Sequence, residues 1–203
     1  MIIVRYADDI VVGLQHKADA ERFRTELTQR LATFALTLHP DKTRLIEFGR
    51  YAAERRARRG LGKPETFNFL GFTHICGRSR QGVFQLKRQT RRDRMRARLR
   101  AIKEELQRRM HEPIPLQGKW LRQVVRGYFA YHAVPTNGKS MSSFRHYVMD
   151  LWRRALQRRS QRDRSTWQRI AQLAAEFLPP VRILHPWPGE RFAVKYPRWE
   201  PGA

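Results

Sequence analysis

Two short apolar runs rich in β-branched residues open the chain and flank a pair of aspartates. Residues 2–5 and 10–12 have the composition of strands that pack against a core. The break between them is short enough for a tight hairpin, which would lift Asp8 and Asp9 out of the sheet and direct both carboxylates to one spot. The pattern therefore predicts two buried strands with an acidic pair at their turn.

The next segment alternates between helical and extended patterns. Residues 17–35 carry apolar side chains at helical spacing and predict an amphipathic helix that covers the sheet. Residues 36–38 then favour an extended conformation, 39–41 a turn, and 42–48 a half-buried strand. Residues 49–64 are mostly Arg, Ala and Gly, which is typical of a mobile basic loop.

A change of period divides the chain near Lys87. Residues 67–73 and 83–86 predict two strands joined by the turn-rich segment 77–82, whereas the chain after Leu86 has a period of about 3.6. We therefore expect an α+β fold, in which a partial antiparallel sheet with a covering helix precedes an all-helical bundle. The expected domains are residues 1–86, 87–178 and an extended tail over 179–203.

The helical half begins with a long basic amphipathic helix. Its apolar stripe consists of Met95, Leu99, Ile102, Leu106 and Met110. Thr90 and Asp93 have the spacing of a capping box at its start. Its remaining surface carries many cations and few acids: Arg91, Arg92, Arg94, Arg96, Arg98, Arg100, Lys103, Arg108 and Arg109. Because like charges at helical spacing repel, this density favours a partner that carries phosphates.

Two or three more helices are expected after this one. One has a face formed by Trp120, Val124, Tyr128 and Tyr131. The next has a face formed by Phe144, Val148, Leu151 and Ala155. Ser142 and Ser143 are candidates for its N-cap, and Gly127 inside the preceding helix indicates close helix packing. Residues 165–177 form the third candidate.

The composition indicates a polyanionic partner. The 203 residues include 42 Lys and Arg against 18 Asp and Glu, which gives a formal net charge of +24. Such a charge repels itself in a compact fold, so nucleic acid or an anionic membrane is the expected neighbour. Membrane is the weaker candidate, because no apolar run approaches the ~18 residues of a spanning helix. The chain also starts without the features of a signal peptide, so we expect a cytoplasmic protein.

The titratable residues suggest one metal site and argue against another. Cys76 is the only cysteine, which excludes an intramolecular disulfide and a multi-cysteine zinc site, so it and His74 are expected to line a strand. Asp8 and Asp9 instead offer hard oxygen ligands, which suit Mg²⁺ held by one or two carboxylates and substrate phosphates. Aspartates are also common in turns for conformational reasons alone.

Several motifs occur in an order that resembles the palm of reverse transcriptases. They are residues 6–9 (Tyr-Ala-Asp-Asp), 36–43 (Leu-Thr-Leu-His-Pro-Asp-Lys-Thr) and 69–72 (Phe-Leu-Gly-Phe). Trp120 and residues 126–131 (Arg-Gly-Tyr-Phe-Ala-Tyr) resemble the maturase-specific region of group II intron reverse transcriptases, which help an intron to splice and copy it into DNA. The resemblance implies an RNA-directed DNA polymerase whose partners are structured intron RNA and an RNA/DNA primer–template.

The resemblance also implies roles for single residues. Asp8 and Asp9 match the catalytic acidic pair that binds Mg²⁺, and Lys42 matches a lysine that neutralises or protonates the leaving pyrophosphate. The residues that match positions near the primer or the incoming nucleotide are Tyr6, Ala7, Phe69, Leu70 and Gly71. The basic residues from Arg91 to Lys103 would bind RNA.

One part of the polymerase site is expected to be missing. In this family a further aspartate on an upstream strand completes a two-metal site. The chain starts too late to contain that aspartate or the fingers, so we expect no polymerase activity from it alone, unless an upstream fragment completes the site. Two alternatives stay open: a non-catalytic RNA-binding splicing factor or degenerate remnant, and a reverse transcriptase of another lineage, such as a retron or defence enzyme.

Overall fold

The computed structural model describes residues 1–159, 166–188 and 190, and these form the α+β fold that the sequence predicts. Within the described residues the elements are β1 (Ile2–Tyr6), β2 (Asp9–Gly13), α1 (Lys17–Ala32), α2 (Ala52–Arg58), β3 (Phe67–Phe69), β4 (Phe72–Arg78), β5 (Phe84–Thr90), α3 (Arg92–Arg108), α4 (Ile114–His132), α5 (Gly138–Arg159) and α6 (Trp167–Phe177). The strands form a two-stranded sheet, β1-β2, and a three-stranded sheet of order β3-β4-β5. None of the helices in the described ranges is long and apolar enough to span a bilayer.

The chain divides into two compact units. The first comprises Met1–Phe69 and Cys76–Leu86, and the second comprises Leu70–Ile75 and the chain from Lys87 onward. The hairpin β1-β2, α1 and α2 belong to the first unit, and α3 to α6 belong to the second.

The hairpin β1-β2 is exposed, so the prediction of two buried strands is wrong. The strands pair antiparallel from Ile2 opposite Gly13 to the turn, and no third strand of the described residues joins them. Ile2 keeps 70% of its surface in solvent, and only Val11 and Val12 of the hairpin are half-buried. A β-branched composition favours a strand but does not supply the layer that would cover it.

Helix α1 starts at the predicted residue but buries none of its side chains. Its apolar row of Phe23, Leu27 and Leu31 is half-buried, and Phe34 lies exposed beyond the end of the helix. The amphipathic pattern therefore identified the helix correctly. The predicted covering of the sheet is not seen as a buried apolar face of this helix, since none of its side chains is fully buried.

Ion pairs organise the segment after α1. The sequence predicts a strand over residues 42–48, but this segment forms no strand. Arg44 instead pairs with Glu65 at 2.6 Å, and Glu47 pairs with Arg59. Alternating polarity was misleading here because a strand also needs a partner to complete its hydrogen bonds, and side-chain charges hold this segment instead.

The segment predicted to be a mobile basic loop, residues 49–64, contains helix α2. Ala52 at the start of this helix is fully buried, and Arg58 pairs with Glu54 one turn away at 2.5 Å. Ala and Arg both favour helix, a propensity that the loop interpretation underweighted.

A tight turn interrupts the segment predicted as one strand over residues 67–73. β3 ends at Phe69 and β4 begins at Phe72, so Leu70 and Gly71 form a two-residue loop. Both loop residues have positive φ, 47° and 74°, as a type I′ turn requires. The sequence did not reveal the turn, because a leucine rarely adopts the left-handed conformation.

Four helices build the core of the second unit. α3 packs against α5, and α6 packs against both α4 and α5. The predicted stripe of α3 is confirmed up to Leu106, since Ile102 and Leu106 are buried and Met95 and Leu99 pack partly buried against the core. Met110, the last predicted member, lies beyond the end of the helix. The largest fully buried side chains include Trp152, Phe144, Ile102, Leu106, Leu121 and Met141.

A buried amide links three of these helices. Nε2 of Gln117 donates hydrogen bonds to the carbonyl oxygens of Arg109, at 2.8 Å, and Glu112, at 3.1 Å, just beyond the end of α3. Oε1 of Gln117 accepts a hydrogen bond from Nε1 of Trp152 on α5 at 2.9 Å. The last carbonyl groups of a helix lack partners within it, and this amide donates to carbonyl oxygens in the turn that follows α3.

Three predicted helix caps are wrong. Thr90 is the last residue of β5 rather than a cap of α3, whose N-cap position is Arg91. Ser142 and Ser143 lie inside α5, which begins at Gly138. Capping residues identify a helix start only where no packing extends the helix past them.

The close helix contact expected at Gly127 lies instead at Gly118. A Cβ atom added at Gly127 would meet nothing within 4 Å, whereas one added at Gly118 would lie 2.5 Å from Cγ of Phe177. Gly118 thus allows α4 and α6 to approach each other. The sequence singled out Gly127 and not Gly118, because the position of a glycine within a helix does not show which helix packs against it.

The predicted third helix and the tail are only partly described. α6 runs from Trp167, and Oγ1 of its N-cap Thr166 accepts a hydrogen bond from the backbone of Arg169 at 3.3 Å. Residue 165, and residues 189 and 191–203 of the expected tail, lie outside the described residues. In the described part of the tail, the backbone N–H groups of Leu184 and His185 donate to the carbonyl oxygen of Ala133.

Candidate functional site

The aspartate pair lies at the tip of the hairpin β1-β2. Tyr6 pairs with Asp9, so Ala7 and Asp8 form a two-residue loop. Ala7 has a φ of 52° and Asp8 has no positive φ. A positive φ at the first loop position alone is the pattern of a type II′ turn, which normally places glycine there. An alanine in this conformation is a local strain of the kind that collects at functional sites.

Arg5 braces this loop from the preceding strand. Its Nε donates a hydrogen bond to the carbonyl oxygen of Ala7 at 3.0 Å. The bond stabilises the positive φ of Ala7. Among the described residues, Arg5 forms no ion pair with Asp8 or Asp9. The role of Arg5 could not be predicted from the sequence, because it depends on a contact made across the turn.

Neither carboxylate has a partner. Asp8 and Asp9 are exposed, and within the described residues neither side chain forms a hydrogen bond or an ion pair. Two consecutive unpaired carboxylates on a braced turn fit the ligand preference of Mg²⁺, which often takes one or two protein carboxylates and completes its shell with water and phosphate oxygens. No cluster of three or more His, Cys, Asp or Glu that could hold a metal occurs in the described part of the chain.

The other residues predicted near the polymerase site are only partly brought together. Tyr6 is exposed and lies directly opposite Asp9 in the hairpin. Lys42 is exposed in a turn in which its N–H and that of Thr43 donate to the carbonyl oxygen of His39. No hydrogen bond or ion pair in the described ranges joins Lys42 to either aspartate.

The turn at Leu70 and Gly71 is held by residues far along the chain. The hydroxyl group of Tyr131 donates a hydrogen bond to the carbonyl oxygen of Leu70 at 2.8 Å, and the Tyr131 ring stacks on Phe72 with 5.7 Å between centroids. The backbone N–H of Arg91 donates to the carbonyl oxygen of Gly71 at 3.1 Å. Residues 70–72 of one sequence motif and Tyr131 of another thus meet in the second unit.

The loop between α4 and α5 binds the end of β5. Oδ1 of the buried Asn137 accepts a hydrogen bond from the backbone of Thr90 at 2.9 Å, and its Nδ2 donates to Oγ1 of Thr90 at 2.8 Å. Oγ1 of Thr136 accepts from the backbone of Arg88 at 2.8 Å. Neither loop residue was predicted to matter, because the contacts join residues 47 or 48 positions apart.

The basic surface of α3 is largely unpaired. Arg91 forms a two-pronged contact with Asp93, which lowers the pKa of that carboxyl group. Near the other end, Arg108 and Arg109 pair with Glu105. Six other cations of the helix are exposed and form no ion pair within the described residues: Arg92, Arg94, Arg96, Arg98, Arg100 and Lys103.

Comparison with known proteins finds one similarity, in the N-terminal part of the chain. Residues 1–74 match the family model of the reverse transcriptase (RNA-dependent DNA polymerase). This part of the chain is therefore similar to a reverse transcriptase domain. No curated protein and no solved structure matches the chain.

The reverse transcriptase match includes one group of candidate residues and excludes the other. The hairpin with Asp8 and Asp9, the turn with Lys42 and residues 69–72 all lie inside it. Helices α3 to α6, with the unpaired cations, lie outside it. The similarity to reverse transcriptases therefore covers the acidic pair, and the maturase resemblance of the helical part stays a prediction.

Proposed function

We propose that the chain is part of a group II intron-encoded reverse transcriptase and maturase, which binds structured intron RNA and contributes two carboxylates to a polymerase site. The observation that carries the proposal is the pair of unpaired carboxylates on the braced hairpin, located within the reverse transcriptase match. The resemblance of residues 126–131 to the maturase-specific region supports the intron assignment.

In this proposal the hairpin supplies carboxylate ligands. Asp8 and Asp9 would hold Mg²⁺, which, when bound, favours attack of a primer 3′-hydroxyl on the α-phosphate of a nucleotide. Arg5 keeps the loop in the conformation that presents the carboxylates. Lys42, whose ammonium group is exposed, would neutralise phosphate charge. A further acidic ligand, which the described residues do not bring to the pair, would complete a two-metal site.

The helical unit would bind RNA through its phosphates. The unpaired cations of α3 are exposed and recur along the helix, so they can contact successive phosphates of an RNA strand. Each such contact would release counterions from the RNA. The proposed partners are therefore structured intron RNA and a primer–template duplex. A cytoplasmic location is part of the same proposal.

Primer extension tests the polymerase assignment. The chain alone, given an RNA template, primer, nucleotides and Mg²⁺, should incorporate no nucleotides. Adding an upstream fragment with the fingers and the first palm strands should restore incorporation. Asp8→Asn should abolish the restored activity, whereas Asp41→Asn, which alters an exposed turn aspartate, should not. Robust synthesis by the chain alone would contradict the need for a further acidic ligand, and full activity of the Asp8→Asn variant would remove the catalytic role.

A non-catalytic splicing factor is the second candidate. The unpaired cations of α3 favour it, because they support RNA binding independently of Asp8. A splicing assay with a cognate intron separates the two candidates. If charge reversal at Arg92, Arg96 and Arg100 abolishes splicing while Asp8→Asn leaves both splicing and intron copying intact, the splicing factor is the better description.

A further inference from the structure

Three aromatic rings form an exposed cluster where α5 meets the start of α6. His146 and Trp167 are nearly parallel, with 5.3 Å between ring centroids and 9° between planes. Tyr147 meets His146 edge-on at 6.1 Å. Trp167 and Tyr147 keep 44% and 51% of their surface in solvent, and His146 is also exposed. We call these three residues the stacking surface.

The stacking surface is not required for the core. The buried side of α6 consists of Ile170, Ala174 and Phe177, and α5 contributes Phe144 and Trp152 to the same core. Trp167 lies at the first residue of α6, beyond this packed face. Single exposed aromatic residues are common on protein surfaces, but a contiguous exposed cluster of them indicates a recognition surface.

Arginine holds the tryptophan ring in place. The guanidinium group of Arg153 lies 4.9 Å from the centroid of Trp167. Nη2 of Arg153 also pairs with Oδ1 of Asp150 at 2.9 Å, and Arg154 pairs with the other oxygen of that carboxylate at 2.7 Å. Arg153 and Arg154 therefore share the single carboxylate of Asp150, so the surface beside the rings keeps a net positive charge.

An open groove of about 500 Å³ lies beside His146. Met149, Pro180 and Val181 give it a mainly apolar lining. Arg145, which also lines it, is fixed by hydrogen bonds to the carbonyl oxygens of Ala174, at 2.9 Å, and Pro179, at 3.2 Å. The wall of the groove is therefore held in place before any ligand binds.

We infer that the stacking surface binds unpaired bases of single-stranded RNA, which extend the His146–Trp167 ring pair towards the groove. This inference rests on the proposed function only in taking RNA as the partner. Every base offers a flat π-face to an aromatic ring, and an adjacent guanidinium group adds a cation–π attraction. The net charge of +24 favours a polyanion over a protein partner of ordinary charge.

Abasic RNA separates base stacking from phosphate binding. The full chain is titrated with a fluorescent, unstructured RNA of about 12 nucleotides and with an abasic oligonucleotide of equal length and charge. The intact RNA should bind about ten- to a hundredfold more tightly, as expected for stacking of one base. Trp167→Ala should remove this preference and leave affinity for the abasic strand unchanged, whereas Trp167→Phe should retain most of it.

Trp187 provides a matched control. It is 43% exposed, close to the value for Trp167, and does not belong to the stacking surface. Trp187→Ala should therefore keep the full preference for intact RNA, and circular dichroism should show that both alanine variants are folded. Photo-cross-linking of 4-thiouridine RNA should give adducts at Trp167, Tyr147 or His146.

Other results would overturn the inference in distinguishable ways. Equal affinity of the unaltered chain for intact and abasic strands would exclude base stacking while leaving phosphate binding, and with it the proposed function, intact. Equal losses for both strands on Trp167→Ala would assign the residue to the fold. Failure to bind either strand at low salt would reject RNA as the partner and would contradict the proposed function as well.

Discussion

The hydroxyl group of Tyr131 donates a hydrogen bond to the carbonyl oxygen of Leu70 across 61 residues of sequence. The bond ends on a residue in a left-handed turn, and the ring that carries the hydroxyl stacks on the next strand residue, Phe72. Tyr131 therefore contributes to the turn in two separable ways, through its oxygen and through its ring.

Removing the oxygen alone should weaken the second unit slightly. Tyr131→Phe loses the hydrogen bond and keeps the stack, so the free energy of unfolding should fall by about 0.5–1.5 kcal/mol. Tyr131→Ala should cost more, because the aromatic contact is worth a further ~0.5–1.5 kcal/mol. Urea denaturation measures both values. Tyr147→Phe is the control, since no described hydrogen bond is lost there, and equal effects at both positions would contradict the assigned role.

Two glycines of α4 should respond in opposite directions to the same substitution. At Gly118 an added methyl group would lie 2.5 Å from Phe177, so Gly118→Ala should destabilise the protein by about 1–3 kcal/mol. At Gly127 there is open space, so Gly127→Ala should stabilise it by about 0.5–1 kcal/mol through helix propensity. Thermal unfolding of the two variants tests this pair. A similar shift for both would mean that the contact between α4 and α6 is misplaced.

Stability should fall on mild acidification because of His132. Burial lowers the pKa of this imidazole below its usual value, and its ring stacks on Tyr128 at 4.0 Å. Burial also raises the pKa of Tyr128 to about 12, so that neighbour stays neutral. The unfolded chain then binds the proton more readily than the folded one. The free energy of unfolding should therefore decrease as pH falls from above about 6.5 towards the lowered pKa.

The variant His132→Asn isolates this contribution. Asparagine keeps a short donor for the carbonyl oxygen of Tyr128, which Nδ1 of His132 contacts at 3.0 Å, and it does not titrate. Denaturation curves at about pH 7.5 and 5.5, on either side of the ordinary histidine pKa, should show a smaller loss of stability for the variant. An equal or larger loss would assign the pH dependence to other groups.

The salt dependence of RNA binding should report on α3. Arg92, Arg96, Arg100 and Lys103 recur at helical spacing along one side of the helix and are unpaired among the described residues. Replacing all four by Gln should reduce the slope of log K against log salt by about 3, since each phosphate contact contributes roughly 0.7–0.9. A control that replaces the ion-paired Arg108 and Arg109 should change it by less than about 1. An unchanged slope in the fourfold variant would contradict phosphate binding by this side.

The sequence pattern predicted structure that depends on neighbouring residues, but it did not predict contacts between residues far apart in the chain. The stripe of α3 and the hairpin around Asp8 were evident from the sequence, because both depend on neighbours within a turn of chain. The prediction of a strand at residues 42–48 was wrong because a strand forms only where a second strand pairs with it, and the sequence pattern cannot identify that second strand. The bracing of Ala7 by Arg5 and of Leu70 by Tyr131 could not be predicted, since no periodicity encodes a single side-chain contact.

The buried amide of Gln117 has a consequence for how the second unit opens. It donates to carbonyl groups just past the end of α3, belongs to α4 and accepts from the indole of Trp152 on α5. Separating α4 from these neighbours would therefore leave the buried amide and the indole N–H without their partners. Amide hydrogens in these helices should therefore exchange with deuterium through one shared cooperative opening, whereas those of the exposed hairpin β1-β2 should exchange through rapid local fluctuations. We therefore expect α3, α4 and α5 to open as a single cooperative unit in which Gln117 is a shared contact.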